Sequence, residues 1–181
     1  MPAELLDGRA VARAIRDEVA LEVQVQRARG IIPGLAVVLV GEDPASTVYV
    51  RNKGRACEEA GIHSVTIRLP EATSQDELLA VVDRLNADPS IHGMLVQMPL
   101  PKQCNADEII RRIDPAKDVD GFHPINAGKL IVGDSDGFAP CTPAGVMELL
   151  KRYSIPTAGA DVVIVGRSAF CSTCTINCAT V

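Results

Sequence analysis

Two reactive side chains lie four residues apart in the segment STVYVRNKG, residues 46–54, which follows an apolar run and a turn. Tyr49 and Lys53 would project from the same face of a helix, because side chains four residues apart are neighbours on a helix surface. A lysine amine at the mouth of a cleft can serve as a general acid or base. Such a pair is equally typical of a solvated helix face, so the spacing alone leaves both interpretations open.

Polar side chains also follow two later segments of the chain. Gln97 ends the apolar run IHGMLVQ, and Asp118 and Asp120 lie in the polar turn KDVDGFHP. In open α/β sheets, ligands bind beyond the carboxyl ends of the strands, so these positions are candidate site residues. The alternatives are a strand-end hydrogen bond for Gln97 and a turn in which the aspartates bond the backbone. A metal at Asp118 is disfavoured, since no cluster of further ligands accompanies it.

The elements that would position these side chains alternate along the chain. Ser74 with Glu77 forms a capping box, and Gly30 and Gly61 are placed to end helices. Asn105 predicts the start of a further short helix. Periodicity and these signals predict helices over 8–29, 45–60, 75–86 and 142–153, and strands over 35–40, 63–69, 91–97 and 162–165. The alternation predicts an α/β layer fold with a mostly parallel sheet, and the stretch 114–142 is expected to be rich in loops.

Composition narrows the class of protein. The chain has 181 residues, is 47% hydrophobic and 23% charged, and carries a formal charge of −5. It has no dense basic run, which argues against nucleic-acid binding, and no apolar segment long enough to span a membrane. The acidic N-terminus lacks the pattern of a secretory signal. The scattered Cys57, Cys104 and Cys141 suit free thiols, so we expect a cytoplasmic protein.

Taken together, the motifs resemble one family. They are DPASTVYVRNK, GMLVQMPLP, DPAKDVDGFHPINAGKL, PCTPAGVMELL and VVIVGRS, in one order over residues 1–168. This combination resembles the bifunctional methylenetetrahydrofolate dehydrogenase/methenyltetrahydrofolate cyclohydrolase family. The resemblance implies NADP-dependent oxidation of 5,10-methylenetetrahydrofolate and hydrolysis of the methenyl product to 10-formyltetrahydrofolate. It also implies a three-layer α/β catalytic domain over 1–140, followed over 141–181 by a connecting helix and the start of a Rossmann-type NAD(P)-binding domain.

The resemblance assigns roles to four of the candidates. Lys53 would be the central catalytic group of the hydrolysis, and Gln97 would lie within hydrogen-bond reach of it and orient it. Tyr49 would stack on the folate ring system. Asp120 would accept hydrogen bonds from the amino-pyrimidinone edge of the pterin, where one carboxylate can form a two-pronged pair.

Further expectations concern the cofactor and the partner. The resemblance places Pro140, in the PCTP segment, at the border of the cleft between domains. It places Gly166, Arg167 and Ser168 near the extra phosphate of NADP, where a positive group and a hydroxyl donor fit. The family is homodimeric with contacts mainly through the cofactor domain, which leaves dimerisation of this chain open.

The tail after Ser168, AFCSTCTINCATV, departs from the family pattern. Four explanations compete. The tail could be the end of a fragment or truncated product, the result of a frameshift, or part of a true variant without the cofactor domain. It could also form a new metal or redox site at Cys171, Cys174 and Cys178. Three thiols fall short of the four ligands of a closed zinc site, which favours a broken tail. Two alternatives to the bifunctional enzyme follow: a protein with cyclohydrolase activity alone, and a non-catalytic folate-binding fragment.

Overall fold

The computed structural model describes residues 5–161 and residue 163. The strand predicted over 162–165, apart from residue 163, and the predicted cofactor residues Gly166, Arg167 and Ser168 lie outside the described residues. So does the cysteine-rich tail. The chain forms two compact units, one of residues 16–119 and one of residues 1–15 with 120–181. The first helix, α1 (Gly8–Ala28), contributes residues to both groups.

The unit of residues 16–119 is built on a three-stranded sheet. Its strands are β1 (Gly34–Val40), β2 (His63–Leu69) and β3 (Gly93–Val96), in the order β2-β1-β3. Both pairings are parallel, with Val38 opposite Ile67 on one side and Val96 on the other. The predicted mostly parallel sheet is confirmed, although the third strand is shorter than the predicted 91–97.

Strand β1 is buried on both faces, which explains its continuous apolar sequence. Ala36, Val38 and Val40 join one core cluster, whereas Val37 and Leu39 join a second cluster. The first cluster includes side chains of α3 (Gln75–Ala87) and α4 (Ala106–Arg112), and the second includes Val50 of α2 (Pro44–Ala60). Helices therefore cover both faces of the sheet in this unit.

Helix ends form where the local sequence predicts them. Asp43 caps α2 by accepting a 2.8 Å hydrogen bond from the Ser46 N–H, and Gly61 ends this helix in the left-handed conformation at φ 78°. Ser74 and Glu77 form the predicted capping box of α3. The Asn105 side chain accepts from the N–H groups of the first turn of α4. These caps satisfy backbone donors that would otherwise lack partners.

The unit of residues 1–15 and 120–181 contains two helices that differ from the expectation. Helix α5 (Pro124–Ile131) lies in the stretch that was expected to be rich in loops. The missed signal is His123 followed by Pro124, because the His123 ring nitrogen accepts from the Ile125 N–H and proline fits the first helical turn. Helix α6 (Cys141–Arg152) begins one residue before the predicted start at Thr142.

Among the described helices, none combines the length and the apolar character that crossing a bilayer requires. The longest of those described, α1, has Val23 as its buried residue and places Leu21 and Val25 in exposed positions.

Gly34 gives a direct test of how tightly β1 is packed. A Cβ atom at this position would lie 2.0 Å from the backbone oxygen of Ser90. Because backbone must then shift, we expect Gly34→Ala to lower the free energy of unfolding by about 1–3 kcal/mol in a denaturant titration. Gly54→Ala is the matched control, since a Cβ there meets no atom within 4 Å, and it should stabilise α2 by up to about 1 kcal/mol. Equal effects of the two substitutions would contradict this packing.

Candidate active site

The chain segments that follow the neighbouring strands β1 and β3 lead to opposite faces of the sheet. Strand β1 leads into α2, whose Val50 packs in one core cluster, and β3 leads into α4, whose Ile109 packs in the other. Because β1 and β3 are adjacent and parallel, a crevice opens at their carboxyl ends. This is the topological switch point at which open α/β sheets bind ligands. Gln97 and the first turns of α2 lie at this edge.

Lys53 lies on the buried stripe of α2. Ser46, Val50, Cys57 and Ala60 are the buried residues of this helix, and position 53 completes their spacing of four, three, four and three. Lys53 itself is half-buried. A partly buried ammonium group requires a polar partner from the protein, whereas an ammonium on a solvated helix face is hydrated by water. Tyr49, in contrast, is 62% exposed, and its ring is accessible to a planar ligand.

The partner of Lys53 is the side chain of Gln97. Lys53 Nζ donates a hydrogen bond of 3.3 Å to Gln97 Oε1, which is the contact that the resemblance implied. Gln97 Nε2 donates to the Met98 backbone oxygen at 2.9 Å, and Ser46 Oγ donates to the same oxygen at 3.3 Å. Since the amide N–H is held by a carbonyl, the amide oxygen must face the amine. The arrangement fixes Gln97 as an acceptor for Lys53.

The backbone of this loop is anchored to the sheet. The Gln97 N–H donates to the Val38 oxygen at 2.8 Å, so the β1–β3 hydrogen bonding continues one residue past β3. The Met98–Pro99 peptide bond is cis. Ser46 was not among the sequence candidates, and the available signal was its place on the apolar stripe of α2, where a buried hydroxyl indicates a hydrogen-bond partner.

One buried thiol lies beyond Lys53 on the same stripe. Burial raises the pKa of the Cys57 thiol, and the Ser64 hydroxyl and the Lys53 charge act in the opposite direction. The thiol is therefore the neutral form at physiological pH, and it adds no negative charge beside the amine.

A groove of about 380 Å³ opens at the carboxyl ends of the strands. Its lining, among the described residues, consists of residues 40–43 at and after the end of β1, Glu71 after β2, and residues 99–101 after β3. Lys53 and Gln97 are not part of this lining. Within residues 5–161, no group of His, Cys, Asp and Glu side chains is arranged to hold a metal ion.

The aspartates of the DVDG turn occupy different settings. Asp118, in the unit of residues 16–119, is only 2% exposed and forms a parallel bridge with Met94. Asp120 is half-buried and belongs to the unit of residues 1–15 and 120–181. Next to it, Gly121 adopts φ 68°, and a Cβ there would lie 2.6 Å from the Ala139 carbonyl carbon. Glycine therefore allows the DVDG turn to lie against the backbone that leads into the buried Pro140.

The described geometry defines a class of protein. It is a doubly wound α/β protein whose first and third strands flank a switch-point crevice, with an amine held by an oriented amide at that edge. An amine in such a position is able to exchange protons with a bound ligand.

Comparison with known proteins identifies the family. Residues 6–120 match the family model for the tetrahydrofolate dehydrogenase/cyclohydrolase catalytic domain, and residues 140–177 match the model for the NAD(P)-binding domain of the same family. The first match covers more than half of the chain. The chain therefore belongs to the tetrahydrofolate dehydrogenase/cyclohydrolase family.

Individual relatives agree with this assignment. The chain is 59% identical over 164 residues to the bifunctional protein FolD 2 of Geobacter metallireducens, covering 91% of this chain and 57% of the relative. It is 58% identical over 168 residues to the bifunctional protein FolD of Halalkalibacterium halodurans, covering 93% of this chain and 60% of the relative. The chain thus spans less than two thirds of the length of these curated relatives.

Solved structures show the same fold. The bifunctional enzyme FolD of Campylobacter jejuni superposes with a TM-score of 0.94 at 48% identity, over 98% of this chain and 64% of that one. The methylenetetrahydrofolate dehydrogenase-cyclohydrolase of Trypanosoma brucei, solved with NADP and an inhibitor, superposes with a TM-score of 0.92 at 34% identity. That match covers 99% of this chain and 63% of the other.

The Asp43 cap stabilises α2, the helix that carries Lys53, and its contribution to stability can be tested by changing the pH. The hydrogen bond from the Ser46 N–H lowers the pKa of Asp43 below its ordinary value of 3.8. A carboxylate with a lowered folded-state pKa stabilises the fold above the unfolded pKa, and this contribution is lost as the pH falls through the folded pKa. We expect Asp43→Asn to match the wild type near pH 7 and to lose less stability below pH 3.8.

The measurement is urea unfolding of both proteins at neutral and acidic pH. Asp43→Ala is the control, because it removes the cap and should be less stable than the wild type near pH 7 as well. Parallel losses of stability in the wild type and in Asp43→Asn on acidification would contradict the prediction.

Proposed function

We propose that this chain acts on one-carbon derivatives of tetrahydrofolate as a bifunctional enzyme. The two reactions are the NADP-dependent oxidation of 5,10-methylenetetrahydrofolate to the methenyl form and its hydrolysis to 10-formyltetrahydrofolate. The observation that carries the proposal is the hydrogen bond between Lys53 and Gln97 at the switch point of the family's catalytic domain. The bifunctional FolD relatives from Geobacter metallireducens and Halalkalibacterium halodurans support it.

In the hydrolysis, Lys53 is proposed to be the proton-transfer group. Water adds to the methenyl carbon, and the amine takes a proton from that water as the new C–O bond forms. The same proton then passes to the ring nitrogen as its bond to the carbon breaks. The remaining hydroxyl proton leaves to solvent as the carbonyl forms, and the formyl group stays on the other nitrogen. Gln97 accepts a hydrogen bond from Lys53 throughout, which keeps the amine at one position.

Two further side chains are proposed to bind the substrate. The exposed ring of Tyr49 lies one helical turn before Lys53 and is suited to stack on a planar ring system. Asp120 is proposed to accept hydrogen bonds from the amino-pyrimidinone edge of the pterin. Pro140, buried against the turn that follows Asp120, is proposed to support the substrate pocket from the PCTP segment.

NADP is the proposed cofactor, and it would supply the hydride acceptor for the oxidation. The match of residues 140–177 to the NAD(P)-binding domain supports this assignment, as does the NADP complex of the Trypanosoma brucei relative. Gly166, Arg167 and Ser168 are the proposed contacts to the cofactor on the basis of the family motif. They lie outside the described residues, so their role is proposed from the sequence alone.

The division into domains and the cellular compartment are also proposals. Family matches that end at 120 and begin again at 140 support a catalytic domain over 1–140 and a cofactor segment over 141–181. The buried thiols of Cys57 and Cys104 form no disulfide bond, which supports a reducing, cytoplasmic setting.

Substitution of Lys53 tests the hydrolytic role. Lys53→Ala should lower the rate of methenyltetrahydrofolate hydrolysis by at least about 100-fold, because proton transfer by a positioned side chain contributes about that much or more. Arg51→Ala is the matched control, since Arg51 is an exposed cation on the same helix. The measurement is the loss of methenyl absorbance at saturating substrate. Equal rates for Lys53→Ala and the control would contradict the role of Lys53.

A hydrolase without dehydrogenase activity is the second candidate. It is favoured by the position of Lys53 and Gln97, which both lie in the unit of residues 16–119 and contact each other there. Their hydrogen bond involves no residue of the segment 140–177 that matches the NAD(P)-binding domain.

Reduction of NADP separates the two candidates. With methylenetetrahydrofolate and NADP supplied together, the bifunctional enzyme should generate reduced cofactor, followed as an increase in absorbance. Hydrolysis of the methenyl compound without cofactor reduction would establish the hydrolase alone. A folded chain with neither activity that still binds tetrahydrofolate would be a folate-binding fragment and would contradict both candidates.

A further inference from the structure

Lys117, which precedes the DVDG turn, uses its ammonium group to hold the end of a helix. Its Nζ donates to the backbone oxygens of Leu85 at 3.1 Å, Asn86 at 2.8 Å and Asp88 at 2.8 Å. An ammonium has three N–H groups, so its full donor capacity is directed at these carbonyls. They belong to the last turn of α3 and the residue that caps it, where helix carbonyls lack intrahelical partners. A positive charge is also favourable at this end of a helix.

The backbone of the same residue pairs with the sheet. The Met94 N–H donates to the Lys117 oxygen at 2.7 Å. The Val119 N–H is shared between the Lys117 oxygen at 3.0 Å and the Met94 oxygen at 3.4 Å. Residues 117–119 therefore run parallel to β3 along the edge that β1 does not occupy, with Asp118 opposite Met94. The side chain of Lys117 adds contacts to a second element, α3, beside this pairing with the sheet.

Side-chain packing fixes the register of this segment. The Val119 side chain packs against the cluster of Val37, Leu39, Val50 and Leu95. A Cβ on Gly93 would lie 2.3 Å from Val119 Cγ1, so glycine leaves the space that Val119 fills. A shift by one residue would turn Val119 away from the core and place Asp118 there instead. Lys117 and Val119 thus anchor the segment on both sides of Asp118.

Asp120 is the next residue after this anchored segment. The position of its backbone depends on where Val119 ends, because consecutive Cα atoms are separated by a fixed distance of about 3.8 Å. Small displacements of a binding carboxylate weaken a two-pronged hydrogen bond strongly, since such bonds depend on direction as well as distance.

We propose that Lys117 is a positioning residue that sets the location of the Asp120 carboxylate by anchoring residues 117–119 to α3 and β3. This inference rests on the proposed function, in which Asp120 binds the pterin edge of the substrate. Lys117 contacts carbonyl groups and not the substrate, so its effect on binding is transmitted through Asp120.

The test is a double-mutant cycle of Lys117→Met and Asp120→Asn, read by tetrahydrofolate binding in calorimetry. Lys117→Met keeps the length of the side chain and removes its donors. We expect it to weaken binding roughly tenfold in the wild-type background and less than about twofold in the Asp120→Asn background, because residues that act through one another are not additive. The hydrolysis rate at saturating methenyltetrahydrofolate should change far less than the binding constant.

Arg112→Met is the matched control. Arg112 also ties α3 to another element, the end of α4, through hydrogen bonds of 2.5 and 2.8 Å to Asp83, but it lies upstream of the anchored segment. This substitution should leave tetrahydrofolate binding unchanged. If Lys117→Met fails to fold, Lys117→Gln takes its place, because the amide retains donors for part of the carbonyl set and should show an intermediate loss of binding.

The outcomes separate the inference from the function on which it rests. An equal loss of binding in both backgrounds, or unchanged binding in Lys117→Met, would overturn the positioning role while leaving the proposed function intact. A wild-type chain that binds no tetrahydrofolate would overturn the proposed function together with this inference. Hydrogen exchange of the Val119 N–H supplies a readout without ligand: faster exchange in Lys117→Met supports the anchor, and unchanged exchange overturns it.

Discussion

A single charged amine on a buried helical stripe is the constraint around which this structure is arranged. Lys53 lies between Val50 and Cys57 on the buried stripe of α2, where an apolar side chain is expected, and it is half-buried there. An ammonium in such a place is tolerated when a polar group meets it. Gln97 provides that group, the Met98 carbonyl orients the amide, and Ser46 holds the same carbonyl.

The sheet topology makes this contact possible. Gln97 follows β3 and Lys53 lies on the helix that follows β1, so the two side chains meet only because β3 pairs beside β1. Strand β2, which comes between them in the sequence, lies on the opposite side of β1. The reversal in strand order creates the crevice, and the double burial of β1 keeps both neighbouring strands in place.

Much of this arrangement could be predicted from local sequence. Some features are specified by a few neighbouring residues. They are the apolar run of β1, the capping box at Ser74 and the helix end at Gly61. Helix α5 was missed because its start depends on a histidine acting as a cap, which is a less common choice than serine or aspartate. The roles of Ser46 and Lys117 depend on partners 52 and 29–32 residues away, and no local pattern specifies such contacts.

Long-range contacts hold the segment that leads into the DVDG turn. Val119 is the last residue of the unit of residues 16–119, and Asp120 begins the second segment, 120–181, of the other unit. On one side of this junction, Val119 is packed in the core and Lys117 is tied to three carbonyls. On the other side, Gly121 lies against the Ala139 backbone at a distance that admits no side chain. A carboxylate that must direct two hydrogen bonds at one ligand edge gains specificity when the backbone beside it is fixed by such contacts.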